Sequence, residues 1–309
     1  MVEFGLVIAR LVHYAATTTL FGASLFALYA RTDIAPPLAG WSRPIPLWTA
    51  VVALLSGLFW FVFSAANMAG GLSHLADLDA ISMVIRETGF GVVWAVRMLL
   101  AAITVAAIAV CDYPTATGRR SFVIPVLAAM LLASLAGVGH TQVEEGSAGV
   151  VHVLSDAAHL LAAGAWLGGL VPLGFLLARR VDSSDGLAAI DQILVRFSGM
   201  GYLAVATLLG TGLINSWFLI GSVSNMLATP YGKTLLAKLV LFAGMLMLAV
   251  ANRFWLVPKL SRSHLRAADV ASAEPLRRLR IHVVGEQLLG AMILLVVSFL
   301  GTMQPAISQ

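Results

Sequence analysis

Apolar residues form eight long runs along the chain, and short polar segments separate these runs. Each run approaches or exceeds the ~20 residues that a helix needs to cross the ~30 Å hydrocarbon core of a bilayer. The separating segments contain Pro, Gly, Ser and charged residues, which favour turns and loops. The pattern predicts an all-α fold, a polytopic membrane helix bundle that forms one domain over residues 1–309. The predicted spans cover residues 4–29, 46–70, 89–111, 121–139, 151–178, 197–220, 234–257 and 282–303.

Composition supports a membrane protein and excludes several function classes. The chain is 60% hydrophobic and 11% charged, whereas about a quarter of the residues of a soluble domain are charged. Cys111 is the sole cysteine, so an internal disulfide and a paired-cysteine metal motif are excluded. The sequence has no Gly-rich phosphate-binding loop for an ATP-driven pump. Its basic residues lie in short loops rather than on a stripe, which argues against a nucleic-acid partner. We expect no enzymatic activity.

Loop charge predicts which side of the membrane each loop faces. On one side the loops and helix ends carry fourteen Lys and Arg residues, and on the other only Arg86 and Lys233. Since positive loops remain in the cytoplasm, both termini are predicted to be periplasmic. The fourteen are Arg31, Arg43, Arg119, Arg120, Arg179, Arg180, Arg196, Arg253, Lys259, Arg262, Arg266, Arg277, Arg278 and Arg280.

Five of the seven histidines fall toward the predicted periplasmic side. His74 and His140 lie in or beside loops there, His152 begins the fifth span, and His13 and His159 lie inside spans that start there. This clustering on the weakly basic side indicates a metal-binding function. For a loop residue such as His74, plain surface polarity is the alternative interpretation.

The fifth span begins with His152, Asp156 and His159. Offsets of four and seven residues place all three side chains on one helical face. The two histidines are nevertheless ~10 Å apart along the axis, which is long for one ion and favours a ladder of sites or separate roles. Asp156 is predicted either to bind metal or to orient a metal-binding histidine without binding the metal itself.

Several polar residues lie deep in the predicted spans. His13 and His159 are each ~12–14 Å below the periplasmic surface, so the two side chains can meet across a helix interface. Arg97 lies at a similar depth and is expected to balance Asp156, and Asn215 is expected to line the same cavity. Ionisable groups at this depth usually face the bundle interior and are functional. The alternative is a fixed interhelical hydrogen bond or salt bridge.

The predicted mouth of the bundle combines several potential copper ligands. The short loop from His140 places that residue near His152, and Met68 and Met303 are predicted near the same face. Imidazole and carboxylate groups without thiolate suit Cu(II), Zn or Ni, and added thioethers favour copper, particularly Cu(I). The candidate ligands are therefore His140, His152, Asp156, His159 and His13. The residues expected to line the cavity or to contact these ligands are Arg97, Asn215, His74, Met303 and Met68.

Several motifs in order along the chain resemble the CopD family of copper-resistance inner-membrane proteins, which includes the PcoD-like members. The motifs are Arg10-Leu-Val-His13-Tyr14, Gly89-Phe-Gly91-Val-Val-Trp94-Ala-Val-Arg97, Gly139-His140-Thr, Asp156-Ala-Ala-His159 followed by Trp166-Leu-Gly168-Gly169, Arg196-Phe-Ser198, Lys238-Leu-Val-Leu-Phe and Ala251-Asn252-Arg253. The resemblance implies a multi-pass protein of the bacterial inner membrane. It implies that the protein receives copper from a periplasmic CopC-like protein and moves it toward the cytoplasm.

Two other functions remain open at this point. One is a haem-binding membrane redox protein in which His13 and His159 supply the axial ligands. The other is a scaffold or sensor that docks the periplasmic copper protein without transporting copper.

Overall fold

The computed structural model describes residues 2–31, 44–110, 118–138, 146–179, 184–260 and 269–308. Within these ranges the regular structure is helical. The helices are α1 (Val2–Tyr29), α2 (Pro44–Ala69), α3 (Leu78–Glu87), α4 (Gly89–Val110), α5 (Val123–Ala133), α6 (Gly146–Ala163), α7 (Gly169–Ala178), α8 (Ser184–Ile220), α9 (Val223–Ala228), α10 (Pro230–Ala251) and α11 (Asp269–Leu300).

Within the described ranges, eight helical segments are long and apolar enough to cross a membrane, which confirms the predicted all-α bundle of eight spans. Helix α5 with its flanking 3-10 turns forms the fourth span. Helices α6 and α7 together form the fifth. An even number of crossings places the start of α1 and the end of α11 at the same end of the bundle, here called the terminal face. The opposite end is the basic face.

Two single π-helical turns interrupt the spans. One, Gly164–Gly168, joins α6 to α7, and the other, Asn252–Leu256, continues α10. A π turn inserts one extra residue into a helix and is frequent at functional sites. Each insertion shifts the faces that the helix presents before and after it.

Helix α1 packs against α2, α5, α7 and α11, and so lies inside the bundle. Its closest approach is to the first π turn, where glycines face each other. A Cβ atom on Gly168 would lie 2.1 Å from the Thr18 carbonyl oxygen, and one on Gly22 would lie 2.2 Å from the Gly164 carbonyl oxygen. Small residues of this kind allow helix backbones in a membrane to approach closely.

The substitution Gly168→Ala is expected to destabilise the bundle, because backbone atoms in contact cannot move aside as a flexible side chain can. Overpacking of this type costs about 1–3 kcal/mol. The midpoint of thermal unfolding in detergent should fall. The matched control is Gly210→Ala in α8, where an added Cβ meets nothing within 4 Å. Equal unfolding midpoints for the two variants would contradict the close contact between α1 and the π turn.

Candidate metal site

Four polar side chains from three spans lie in the half of the bundle nearer the terminal face, linked by one hydrogen bond and by electrostatic interactions. They are Asp156 and His159 of α6, Asn215 of α8 and Lys238 of α10, here called the Asp156 cluster. Asn215 Nδ2 donates a hydrogen bond to Asp156 Oδ1 at 3.3 Å. Lys238 interacts electrostatically with both Asp156 and His159. The four residues are only partly exposed, so their polar groups act in a low-dielectric environment.

The position of α6 against α8 fixes the tautomer of His159. The Thr211 hydroxyl donates to the Thr207 carbonyl at 2.6 Å, so its oxygen accepts from His159 Nδ1 at 2.9 Å. The proton of the neutral ring is therefore on Nδ1 and the free lone pair is on Nε2. Many metal-binding histidines in proteins are oriented by such a hydrogen bond to the other ring nitrogen.

Asn215 contributes an oxygen atom to the cluster. Its Oδ1 is buried and makes no hydrogen bond in the part of the chain that the structure describes, while its Nδ2 is held by Asp156. A buried acceptor without a partner is costly. Asn215 Oδ1 adds an amide oxygen to the carboxylate of Asp156 and the imidazole nitrogen Nε2 of His159. Borderline metal ions bind donors of all three kinds.

Lys238 is the site residue that the sequence analysis did not single out as functional. It lies eight residues into α10, within an apolar span, and its charge acts on Asp156. Intramembrane lysines are rare and usually pair with a carboxylate. This depth in an apolar run was the signal available in the sequence.

Arg97 does not balance Asp156 as the sequence analysis expected, because it is held by α1 and α5. Its Nη2 bonds His13 Nε2 at 2.7 Å. Its Nη1 donates to the Leu131 carbonyl at 3.1 Å and to Ser134 Oγ at 2.5 Å. Arg97 and His13 are fully buried. The guanidinium group therefore ties α1, α4 and α5 together.

His13 has protein partners at both ring nitrogens. Its Nδ1 lies 2.9 Å from the Ala53 carbonyl, to which it donates, so Nε2 accepts from Arg97. The ring lies beside Trp60 and Trp94, with centroid distances of 5.6 and 6.2 Å. Metal binding through Nε2 would require Arg97 to withdraw. The structure thus places His13 in an Arg97 network and His159 in the Asp156 cluster.

The remaining predicted residues lie at different places. His152 is buried, stacks on Phe218 with a centroid distance of 4.6 Å, and interacts electrostatically with Asp156. His74 lies on a 3-10 turn with Nδ1 3.1 Å from the Asp77 carboxylate. Met68 is 58% exposed at the end of α2. Met303 packs near Ile220 and Leu300. His140 lies outside the described residues.

Within the described ranges, no three His, Cys, Asp or Glu side chains are close enough to hold one metal ion. The Asp156 cluster instead combines one carboxylate, one imidazole and one amide oxygen.

Comparison with known proteins assigns both halves of the chain. Residues 1–150 match the family model for the copper resistance protein D-like N-terminal domain, and residues 191–300 match that for copper resistance protein D. Copper resistance protein D of Pseudomonas syringae pv. tomato is 30% identical over 96% of this chain and 95% of that protein. No solved structure matches the chain.

Two further relatives have similar identity. Inner membrane protein YebZ of Escherichia coli K12 is 29% identical over 99% of this chain and 100% of that protein. Copper transport protein CutJ of Bacillus subtilis 168 is 29% identical over 82% of this chain and 47% of that protein. With eight spans and whole-length similarity, the chain belongs to the copper resistance protein D family and is a multi-pass inner-membrane protein of copper resistance.

Proposed function

We propose that this protein transports copper across the inner membrane and that the Asp156 cluster is the site through which the ion passes. The observation that carries the proposal is a set of three donors on the packed helices α6 and α8, with the charge of Lys238 on α10 acting on two of their residues. These donors are the Asp156 carboxylate, His159 Nε2 and Asn215 Oδ1, the last of which has no hydrogen-bond partner among the described residues. Copper is the cargo here and not a cofactor of an enzyme.

Lys238 makes the cluster a transit site rather than a storage site. With no ion bound, the ammonium group compensates the Asp156 carboxylate, which avoids an unpaired charge in the membrane. An incoming cation repels Lys238 and competes with it for the carboxylate. Conduction requires binding that is strong enough for entry and weak enough for release. Competition from Lys238 lowers the affinity for the ion and so favours its release.

The proposed direction is from the periplasm to the cytoplasm. The distribution of positive loops predicts that the terminal face, and with it the Asp156 cluster, is periplasmic. The membrane potential then favours cation entry by about 2.3 kcal/mol per charge at 100 mV. We propose that a CopC-like periplasmic protein delivers copper to His140 and His152 at this face, and that Asp156 and His159 receive it next.

The haem alternative requires His13 and His159 to bind one iron atom. His13 instead uses both nitrogens within the Arg97 network, so this geometry favours copper transit over axial ligation. The scaffold alternative predicts that changes at the terminal face matter while changes at His159 do not.

Transport is tested with purified protein in sealed liposomes that contain a copper chelator dye. Copper added outside should enter faster than in protein-free liposomes, and a negative interior potential should increase the rate. Entry equal to that of empty liposomes at every potential would refute transport and leave the scaffold function.

Thr211→Val should weaken copper binding by about 10–100-fold, the usual cost of losing the group that orients a metal-binding histidine. Valine has the same shape but cannot accept the His159 Nδ1 proton. Thr49→Val is the control, since the Thr49 hydroxyl likewise bonds a carbonyl of its own helix, that of Ile45, but belongs to α2, which contributes no residue to the cluster. Equilibrium copper titration measures both variants, and equal affinities would contradict the assigned tautomer.

A further inference from the structure

A second polar cluster lies deeper in the same bundle and plays no part in the Asp156 site. Trp166 Nε1 donates to Glu286 Oε2 at 3.3 Å, and Asn252 Nδ2 donates to Glu286 Oε1 at 2.6 Å. His282 Nδ1 lies 2.9 Å from Asn252 Oδ1. Glu286 is 2% exposed. These four residues are here called the Glu286 cluster.

Both π turns of the described structure meet at this carboxyl group. Trp166 belongs to the turn Gly164–Gly168 and Asn252 to the turn Asn252–Leu256, and each supplies one N–H donor to Glu286. Two separate helix insertions that aim donors at one side chain indicate a built site, because π turns cost helix stability and concentrate at functional positions.

The groups around Glu286 leave room for a proton on the carboxyl group. Each carboxylate oxygen accepts one N–H bond and retains a second lone pair. The titratable or charged groups on the packed elements are His282 on α11, Tyr202 on α8 and Arg253 after α10. The turn that joins α6 to α7 contributes the Trp166 indole to this set, and the indole is polar but neutral. A buried carboxyl group bonded to two neutral donors is stable in the membrane when it carries a proton.

Glu286 also lines a cavity of about 370 Å³ between α7, α8, α10 and α11. Its other polar lining groups include Ser198, Tyr202 and Arg253, and the last two bond to each other at 3.1 Å. Both lie toward the basic face, about 27 Å and 34 Å along their helices from the ends of α8 and α10 at the terminal face. The cavity therefore extends from Glu286 toward the basic face.

The two clusters are aligned on shared helices. Trp166 follows Asp156 by ten residues, and Asn252 follows Lys238 by fourteen, which separates the clusters by roughly 15–20 Å along the bundle axis. The Glu286 cluster therefore lies on the basic-face side of the Asp156 cluster.

We propose that Glu286 is a proton-binding site that takes up a proton from the basic face through this cavity and releases it toward the terminal face as a copper ion passes. The coupling to copper rests on the transport function proposed above. One released proton offsets one unit of incoming charge, so the low-dielectric interior does not gain that charge. Protons then move opposite to copper.

Infrared difference spectroscopy tests the proton site without copper. Raising the pH should remove a carboxylic-acid C=O band from the wild type, and this band should be absent from Glu286→Gln. Trp166→Phe removes one N–H donor, so the band should persist at a changed frequency. Glu274→Gln is the control, because Glu274 pairs with Arg277 and Arg278 at the surface. Wild-type and Glu286→Gln spectra that coincide would overturn the proposal. If Glu286→Gln does not fold, a band whose frequency is unchanged in Trp166→Phe would also overturn the proposal.

Liposomes with an internal pH dye test the coupling. Copper entry through the wild type should raise the internal pH as protons leave, whereas Glu286→Gln should show at least a several-fold smaller pH change while its copper affinity in detergent stays unchanged. Copper entry without any pH change in the wild type would overturn the coupling and leave copper transport standing. Absence of copper entry would refute the transport function and the coupling together, while the infrared result still decides the proton site.

Discussion

Asp156→Asn should lower the copper affinity of the purified protein by more than about 100-fold, beyond the usual cost of losing an orienting group. Asparagine keeps the shape and one oxygen but loses the negative charge. Attraction between a cation and a carboxylate is strong in a low-dielectric interior, so removal of this charge takes away most of what compensates for dehydration of the ion. It also leaves Lys238 without its counter-charge. Equilibrium titration in detergent and copper accumulation in cells both measure the loss.

The matched control is Asp77→Asn. Asp77 also contacts a histidine, His74, but both side chains are more than a third exposed at the surface. Its copper affinity should remain within a factor of two or three of the wild type, because an exposed pair of this kind contributes about 0–1 kcal/mol. Equal losses in the two variants would show that copper is bound by surface carboxylates rather than by the Asp156 cluster.

Arg97→Met should produce the largest loss of stability of any single substitution considered. It removes the donors to His13 Nε2, Ser134 Oγ and the Leu131 carbonyl. Buried acceptors left unpaired cost about 1–3 kcal/mol each. Ser134 retains its own bond to Leu131, so we expect a net loss of about 2–4 kcal/mol. The measurement is the thermal unfolding midpoint in detergent.

Arg86→Met is the control, since Arg86 is exposed on the short helix α3, and surface changes of this kind are usually within ±0.5 kcal/mol. An unfolding midpoint unchanged by Arg97→Met would mean that the network does not hold α1, α4 and α5 together. In that case His13 Nε2 would be available to bind a metal ion.

The spans were predictable because a bilayer demands apolar length, and the hydropathy pattern records that demand directly. The helix ends were less predictable. The sixth span was predicted from residue 197, but α8 begins at Ser184, because a helix continues past the membrane through polar turns that do not change its backbone. The amphipathic α3 and both π turns were also missed. They depend on packing partners that no local pattern records.

The site was predicted only in part for the same reason. Helical spacing placed His152, Asp156 and His159 on one face, and in the structure Asp156 and His159 both interact electrostatically with Lys238. Equal depth also predicted that His13 and Arg97 would lie near this cluster. Depth fixes the position along the bundle axis but not the direction around a helix, and these two side chains point to α5 and α2 instead.

Glu286 carried a usable signal, since it is a carboxylate inside an apolar span. Its partners were not predictable, because they come from two π turns that the sequence does not reveal.

The most direct test of the copper site is metal analysis combined with an absorption spectrum on protein purified after growth with copper, with wild type beside His159→Ala. The wild type should contain copper that the variant lacks, and neither spectrum should show a Soret band. Copper content independent of His159, or a Soret band in the wild type, would contradict the assignment of the Asp156 cluster as the copper-transit site.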